Sequence, residues 1–333
     1  MLARKDRRII LAALVLFLTG QPLIFANIPL DTANKGTSVV VKKGTHLPGV
    51  ARLLKQDELV RSSTLFMAYS LIVHRGKVIA GEYELSKTLS IADIASRMAS
   101  GQRKVYTLRI VEGYNLQAVG DALEKSGIME SRAFFGLAKD QKFLQRVGIP
   151  ADTLEGYLAP ETYYFSKETD VDVLLEKIAR RTTSFFDREE VKTRMTQINM
   201  SPHEVLTLAS MIEKEARMEE EKGLISAVFH NRLQNGMSLD CDPTVMYGVG
   251  MDSRPLNRAD LAAPTAYNTY RLKGLPRGPI CSPSRSSLMA ALHPAASDVL
   301  YFVSRNDGSH VFSRRIEEHN HFVTMYQKKT KKP

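Results

Sequence analysis

Among the side chains of this sequence able to carry chemistry, Glu213 is the best placed. The segment Ser201–Ala216, SPHEVLTLASMIEKEA, reads as one amphipathic helix. Ser201 is a natural N-cap, Pro202 suits the first helical position, and Glu204 sits where a capping box needs it. Val205, Leu208, Ala209, Ile212 and Ala216 recur at helical spacing and should face a core, with Glu213 beside that stripe. Ala209, Ser210 and Ala216, one turn away, are small and leave room against the carboxyl group. A carboxyl group at an apolar boundary loses hydration and can hold a proton near neutral pH. A general acid acting on a glycosidic oxygen needs that property. The helix alone favours an ordinary pair of Glu213 with Arg217 at i+4, worth only ~0.2–0.5 kcal/mol. Glu215 falls about 200° round the helix from Glu213 and, with Glu219, Glu220 and Glu221, reads as solvated.

Other polar residues suggest a sugar cleft. Pyranose rings have apolar faces and polar rims, so clefts for them combine aromatic rings with amides and hydroxyls. Tyr247, Tyr267, Asn268 and Tyr270 supply such groups. Asp242 opens a DPT sequence and either accepts from a sugar hydroxyl or caps the following helix, the cap being the safer reading. Glu155 and Glu161, in EGYLAPETYYF, either line a cleft or belong to a turn beside a buried aromatic cluster. His293, before Pro294, reads as structural. No metal or cofactor is expected. Asp240-Cys241-Asp242 and His319/His321 lack a recognised ligand spacing, and HEVLT at His203 lacks the second histidine of a zinc-protease motif.

Several segments together resemble a known family. They are EGYLAPETYYF, LASMIEKEA, VFHNRL, GMSLDCDPTVMYG, TAYNTY, GLPRGPI, the His293–Pro294 pair, and YFV before GSHVF. Their order and spacing resemble the YceG-like endolytic murein transglycosylases, also called the MltG family, from about Lys42 to Tyr326 and most densely from Ser201 to Phe312. The resemblance implies that Glu213 is the catalytic residue, serving as acid and then base on the MurNAc–GlcNAc bond of nascent peptidoglycan. It implies 1,6-anhydroMurNAc ends, termination of glycan elongation beside penicillin-binding proteins, and a place on the cell inner membrane facing the periplasm. Two rival functions stay open: a non-catalytic peptidoglycan-binding scaffold, and a hydrolase with Glu155 or Glu161 as second carboxylate.

The elements that position these residues read as α+β. At 333 residues the chain can hold about two domains. Its net charge of +10 asks for an anionic partner, and without any nucleic-acid module the membrane surface or the bacterial wall fits better than nucleic acid. Residues 1–8 are basic, and residues 9–30 are apolar enough for a transmembrane anchor. As a helix that span measures about 33 Å against a hydrocarbon core of about 30 Å, with the basic flank on the cytoplasmic side. The competing reading is a cleaved signal peptide with an apolar region at Ile9–Leu18, which Gln21 and Pro22 favour.

Residues 31–38 then read as a linker, 39–103 as a small β/α module that the resemblance makes LysM-like, 104–327 as the catalytic domain, and 328–333 as a basic tail. For the module, glycan binding and a packing spacer remain open. KKGTHLPGVARLLKQDELV from Lys42 overlays VEGYNLQAVGDALEKSGIM from Val111, Gly44 falling on Gly113, and both read as strand, glycine turn and helix. Helices are expected at Ser63–Val73, Ser90–Ser100, Leu116–Lys125, Ser131–Arg146, Val171–Asp187 and Pro202–Glu221. Strands are expected at Lys77–Leu85, Val105–Val111, around Leu300–Val303 and at His310–Ser313. Cys241 and Cys281 either pair or stay free, since sequence separation cannot set disulfide geometry.

Overall fold

A computed structural model describes residues 26–31, 36–167, 169–251 and 254–328. Most of the expected anchor, with the basic residues before it and nearly all of the tail after residue 328, lies outside the described residues. Among the described residues no helix is long and apolar enough to cross a membrane. The end of the expected span needs correction. Residues 26–30 form turns and bends, with Ala26 buried in a core and its carbonyl accepting Ala92 N–H at 2.9 Å. Leu30 and Asp31 both donate to the Lys87 carbonyl. Protein partners satisfy this backbone, and Pro29 has no N–H to continue a helix.

The chain divides into two compact units, with boundaries inside β3 and β4: the first holds residues up to Tyr106 plus Tyr164–Thr169, and the second holds the rest. The first unit contains β1 (Gly36–Val41), α1 (Leu47–Gln56), α2 (Ser63–His74), β2 (Gly81–Ser86) and α3 (Ile91–Ser100). β1 starts three residues inside the expected linker, and β1 and β2 are antiparallel with Val39 opposite Tyr83 and Val41 opposite Gly81. Val39 and Val41 point inward by strand alternation and meet Val50, Leu54, Phe66, Leu85, Ile94 and Met98 in one core. α3 has the expected ends: Ser90 and Asp93 form a capping box, and Gly101 closes it at φ 76°.

The second unit begins with most of β3 (Tyr106–Arg109), then α4 (Leu116–Lys125), α5 (Ser131–Leu137) and α6 (Gln141–Arg146), and β3 pairs with β4 (Thr162–Phe165). The single helix expected over Ser131–Arg146 is two helices, because Asp140 caps a new start by accepting Lys142 N–H at 2.8 Å. α7 (Val171–Phe186), α8 (Glu189–Ile198), α9 (Pro202–Glu215), α10 (Lys222–Gln234), α11 (Asp242–Gly248), α12 (Arg258–Ala262) and α13 (Arg285–Leu292) follow. The antiparallel hairpin β5 (Tyr301–Ser304) and β6 (His310–Ser313) and then α14 (Ile316–Val323) complete an α+β unit. α8 was not expected from the sequence.

The internal similarity reappears as structure. Gly44 and Gly113 take left-handed φ values of 82° and 80°, where a side chain would be strained. Each precedes a ten-residue helix, with Val50 and Leu54 buried in one copy and Val119 and Leu123 in the other.

α9 departs from a surface amphipathic helix. Every residue from Val205 to Ile212 is buried, because α10, α11 and α13 all pack on it. Its polar members are satisfied locally, with the Thr207 hydroxyl on the His203 carbonyl and the Ser210 hydroxyl on the Thr207 carbonyl, both at 2.7 Å. The helix stops at Glu215 rather than Glu221, since Ala216 is extended at ψ 124°.

Candidate active site

The N-terminus of α9 carries the expected capping box: Ser201 Oγ accepts Glu204 N–H, and Glu204 Oε2 accepts Ser201 N–H at 2.8 Å. Fourteen residues of helix then deliver Glu213 to the last turn. Donors surround its carboxylate, in place of the expected apolar boundary. Oε2 accepts the Ser284 N–H at 2.9 Å, the Ser287 hydroxyl at 2.6 Å and the Ser284 hydroxyl. Lys222 Nζ lies 3.7 Å from the same oxygen. Oε1 takes no hydrogen bond from the described residues.

These partners come from two helix starts. Ser284 caps α13 by accepting Ser287 N–H at 3.2 Å, so one serine fixes both the helix and Glu213. Lys222 opens α10, is buried, and also donates to Glu219, to Ser284 Oγ at 3.1 Å and to Ser286 Oγ at 2.8 Å. The helix start and the ammonium put positive charge around one carboxylate oxygen. The i+4 pairing with Arg217 does not form: the helix has ended, and Arg217 is exposed. Sequence reasoning missed Ser284, Ser287 and Lys222. The serine-rich PSRSS ahead of apolar LMAAL was a legible cap signal, but nothing local marked Lys222 as buried.

Glu155 is buried deeply at a second position. Its Oε2 accepts Leu116 N–H at 3.1 Å and the Tyr247 hydroxyl at 2.9 Å, and its Oε1 accepts Gly156 N–H at 3.2 Å. Burial pushes its carboxyl group up to about 7, against the pull of those hydrogen bonds. Gly156, at φ 77°, lets this loop press on the Pro279–Cys281 strip, since an added Cβ would stand 2.4 Å from Pro279. Tyr247 packs on Tyr267 with ring centroids 4.7 Å apart. Glu155 and Tyr267 line a cavity of about 510 Å³ with His203 and Arg277. His203 serves structurally, with one ring nitrogen on the Tyr157 hydroxyl and the other on the Arg277 carbonyl. Cys281, free and buried, lies within electrostatic reach of Lys214, Glu155 and Glu213, so these groups share one region of the unit.

The remaining expected residues divide. Asp242 does not cap α11, whose N-cap is Cys241; it accepts the Tyr270 hydroxyl at 2.6 Å. Asn268 is fully buried and spends its amide on Leu261 and Ala263 carbonyls and on Tyr270 N–H. Glu161 pairs with Arg181 and lines a separate cavity. Glu215 is not solvated. It is half-buried beside the buried, free Cys241, and burial pushes its carboxyl group up to about 7; the packing of α11 on α9 was invisible in the helix alone. Glu221 likewise turns inward, accepting His310 N–H at 2.8 Å and lying 2.7 Å from its Nδ1. Glu219 bonds Lys222. Among the described residues no group of three or more His, Cys, Asp or Glu side chains converges as a metal site.

Glu213 is thus a helix-borne glutamate of an α+β unit, gripped by the start of a second helix. The YceG-like family matches residues 39–325, and the chain belongs to that family. It is 30% identical over 321 residues to the endolytic murein transglycosylase of Bacillus subtilis strain 168, covering 91% of this chain and 88% of that protein. A pneumococcal protein of the same name, from Streptococcus pneumoniae serotype 2, is 26% identical over 89% of this chain, which spans 59% of its length. The crystal structure of a yceG-like protein from Listeria monocytogenes superposes with a TM-score of 0.60 at 29% identity, over 87% of this chain and all of that one.

Proposed function

We propose that this protein is an endolytic lytic transglycosylase that cuts the MurNAc–GlcNAc bond of nascent peptidoglycan. The names of its relatives support the class of reaction, and the hold on Glu213 carries the mechanism. With Oε2 held by Ser284, Ser287 and Lys222, Oε1 is the oxygen that exchanges a proton with substrate. Glu213 protonates the leaving oxygen as the C1–O bond breaks and an oxocarbenium-like centre forms. The carboxylate then removes the proton of the C6 hydroxyl of the same sugar, whose oxygen bonds C1 and closes a 1,6-anhydro ring. Water is not consumed. An intramolecular nucleophile gains from proximity and needs no second carboxylate. The commitment of both Glu155 oxygens, and the Glu161–Arg181 pair, support this reading over a two-carboxylate hydrolase.

We place the protein at the inner membrane through residues 9–25, with both units in the periplasm and strands near the synthesis machinery, including penicillin-binding proteins, as its targets. Terminating glycan elongation follows from cutting strands there. The β-α-α-β run that opens the first unit, ahead of α3, with Lys42, Lys43, Arg52 and Lys55 exposed, supports a LysM-like, glycan-gripping role. Mass spectrometry of products from purified strands tests the proposal. Anhydro ends are expected; reducing ends would make it a hydrolase, and intact strands a scaffold. Glu213→Gln keeps the side chain's shape but has no proton to give, so cleavage should fall about 10²–10⁴-fold. A variant retaining a tenth of wild-type cleavage would overturn the assignment.

A further inference from the structure

A second cavity in the larger unit has a chemistry that the glycosidic step does not use. It measures about 390 Å³ and is lined by Arg181, Arg188 and Arg285 above an apolar floor that includes Phe185, Leu206 and Leu288. Arg181 is paired with Glu161. Arg188 lies over the Phe185 ring, 5.5 Å from its centroid, and neither Arg188 nor Arg285 has a carboxylate partner among the described residues. Two exposed guanidinium groups beside apolar walls form a site for carboxylates carried on a short chain with small apolar groups.

The cavity adjoins the catalytic carboxylate through the chain. Pro283 and Arg285 line it, and Ser284 between them donates to Glu213. In murein the peptide stem hangs from the muramic sugar whose C1 bond would be cut. That stem is an anionic chain bearing alanyl methyl groups.

We propose that the arginine-lined cavity takes the anionic peptide stem of the glycan, so that stem-bearing strands are preferred over stripped ones. This rests on the transglycosylase reading above. Arg188 and Arg285 would be specificity-determining residues, acting on the stem rather than on the reacting atoms.

The test compares wild type with the Arg188→Ala/Arg285→Ala double variant, on strands with stems intact and on strands stripped by an amidase. The ratio of kcat/KM for intact over stripped strands should exceed ten for wild type and fall at least fivefold in the variant. Equal turnover of both substrates by wild type, or an unchanged ratio in the variant, overturns the proposal. Calorimetric binding of the free soluble stem peptide gives a second readout that needs no cleavage. Binding by wild type, weakened at least fivefold in the double variant and by added salt, is expected. No binding, or equal binding by both proteins, overturns the proposal. Failure of wild type to cleave either strand while still binding the peptide would instead count against the transglycosylase reading alone. Both substitutions are at exposed side chains, and a circular dichroism spectrum matching wild type checks the fold.

Discussion

At the residue scale, two acids stand out for what burial does to them. Glu155 and Glu215 both hold their protons to about 7 in the folded chain, against 4.5 for an ordinary glutamate. The folded state therefore binds more protons between those values, and the stability this confers is complete below about 4.5 and lost as pH rises through about 7. For Glu155, whose three hydrogen bonds leave no oxygen free, the loss amounts to roughly 3 kcal/mol. His230, buried neutral against the Ala291 carbonyl, works in the opposite sense over part of this range. A difference measurement isolates the glutamate. The unfolding free energy gap between wild type and Glu155→Gln, from urea melts, should narrow by about 2–3 kcal/mol between pH 4.5 and 8. A gap that does not change with pH would place the coupling elsewhere.

At the element scale, the two ends of α9 have separate tasks. The Ser201–Glu204 box fixes where the helix starts, and the Ser284 cap of α13 receives Glu213 at its finish. Ser201→Ala removes the acceptor for Glu204 N–H and should cost about 1 kcal/mol, read as a lower urea midpoint with an unchanged m value. A loss within error of zero would show that packing by α10, α11 and α13 holds the first turn without its cap.

At the scale of the whole molecule, location decides which strands the enzyme meets. The charge of +10 suits an anionic wall and the surface of an anionic membrane. Surface charge alone would be screened by salt, since the Debye length falls to about 3 Å at 1 M. A membrane-spanning residue 9–25 segment would not be. The protein is therefore expected to stay in the membrane fraction after a 1 M salt wash, followed by immunoblot of pellet and supernatant. Release by the wash, or a mature N-terminus near Asn27, would make the leading segment a signal peptide.

Much of this was legible in the amino-acid sequence, because local rules govern it. The caps at Ser90 and Ser201 and the glycine turns at Gly44 and Gly113 all depend on neighbours within a few residues. The ordered run of motifs pointed to the family to which the chain belongs. The tertiary structure alone decided what surrounds each acid. Glu215 looked solvated until α11 and Cys241 covered it, and Asp242 looked like a cap until Tyr270 reached it. Glu213 was expected against small apolar neighbours and instead meets Ser284, Ser287 and Lys222, which lie 71, 74 and 9 residues along the chain. Periodicity tells which residues share a face of a helix, whereas the groups that cover each face belong to chain brought in from elsewhere, and only packing determines them.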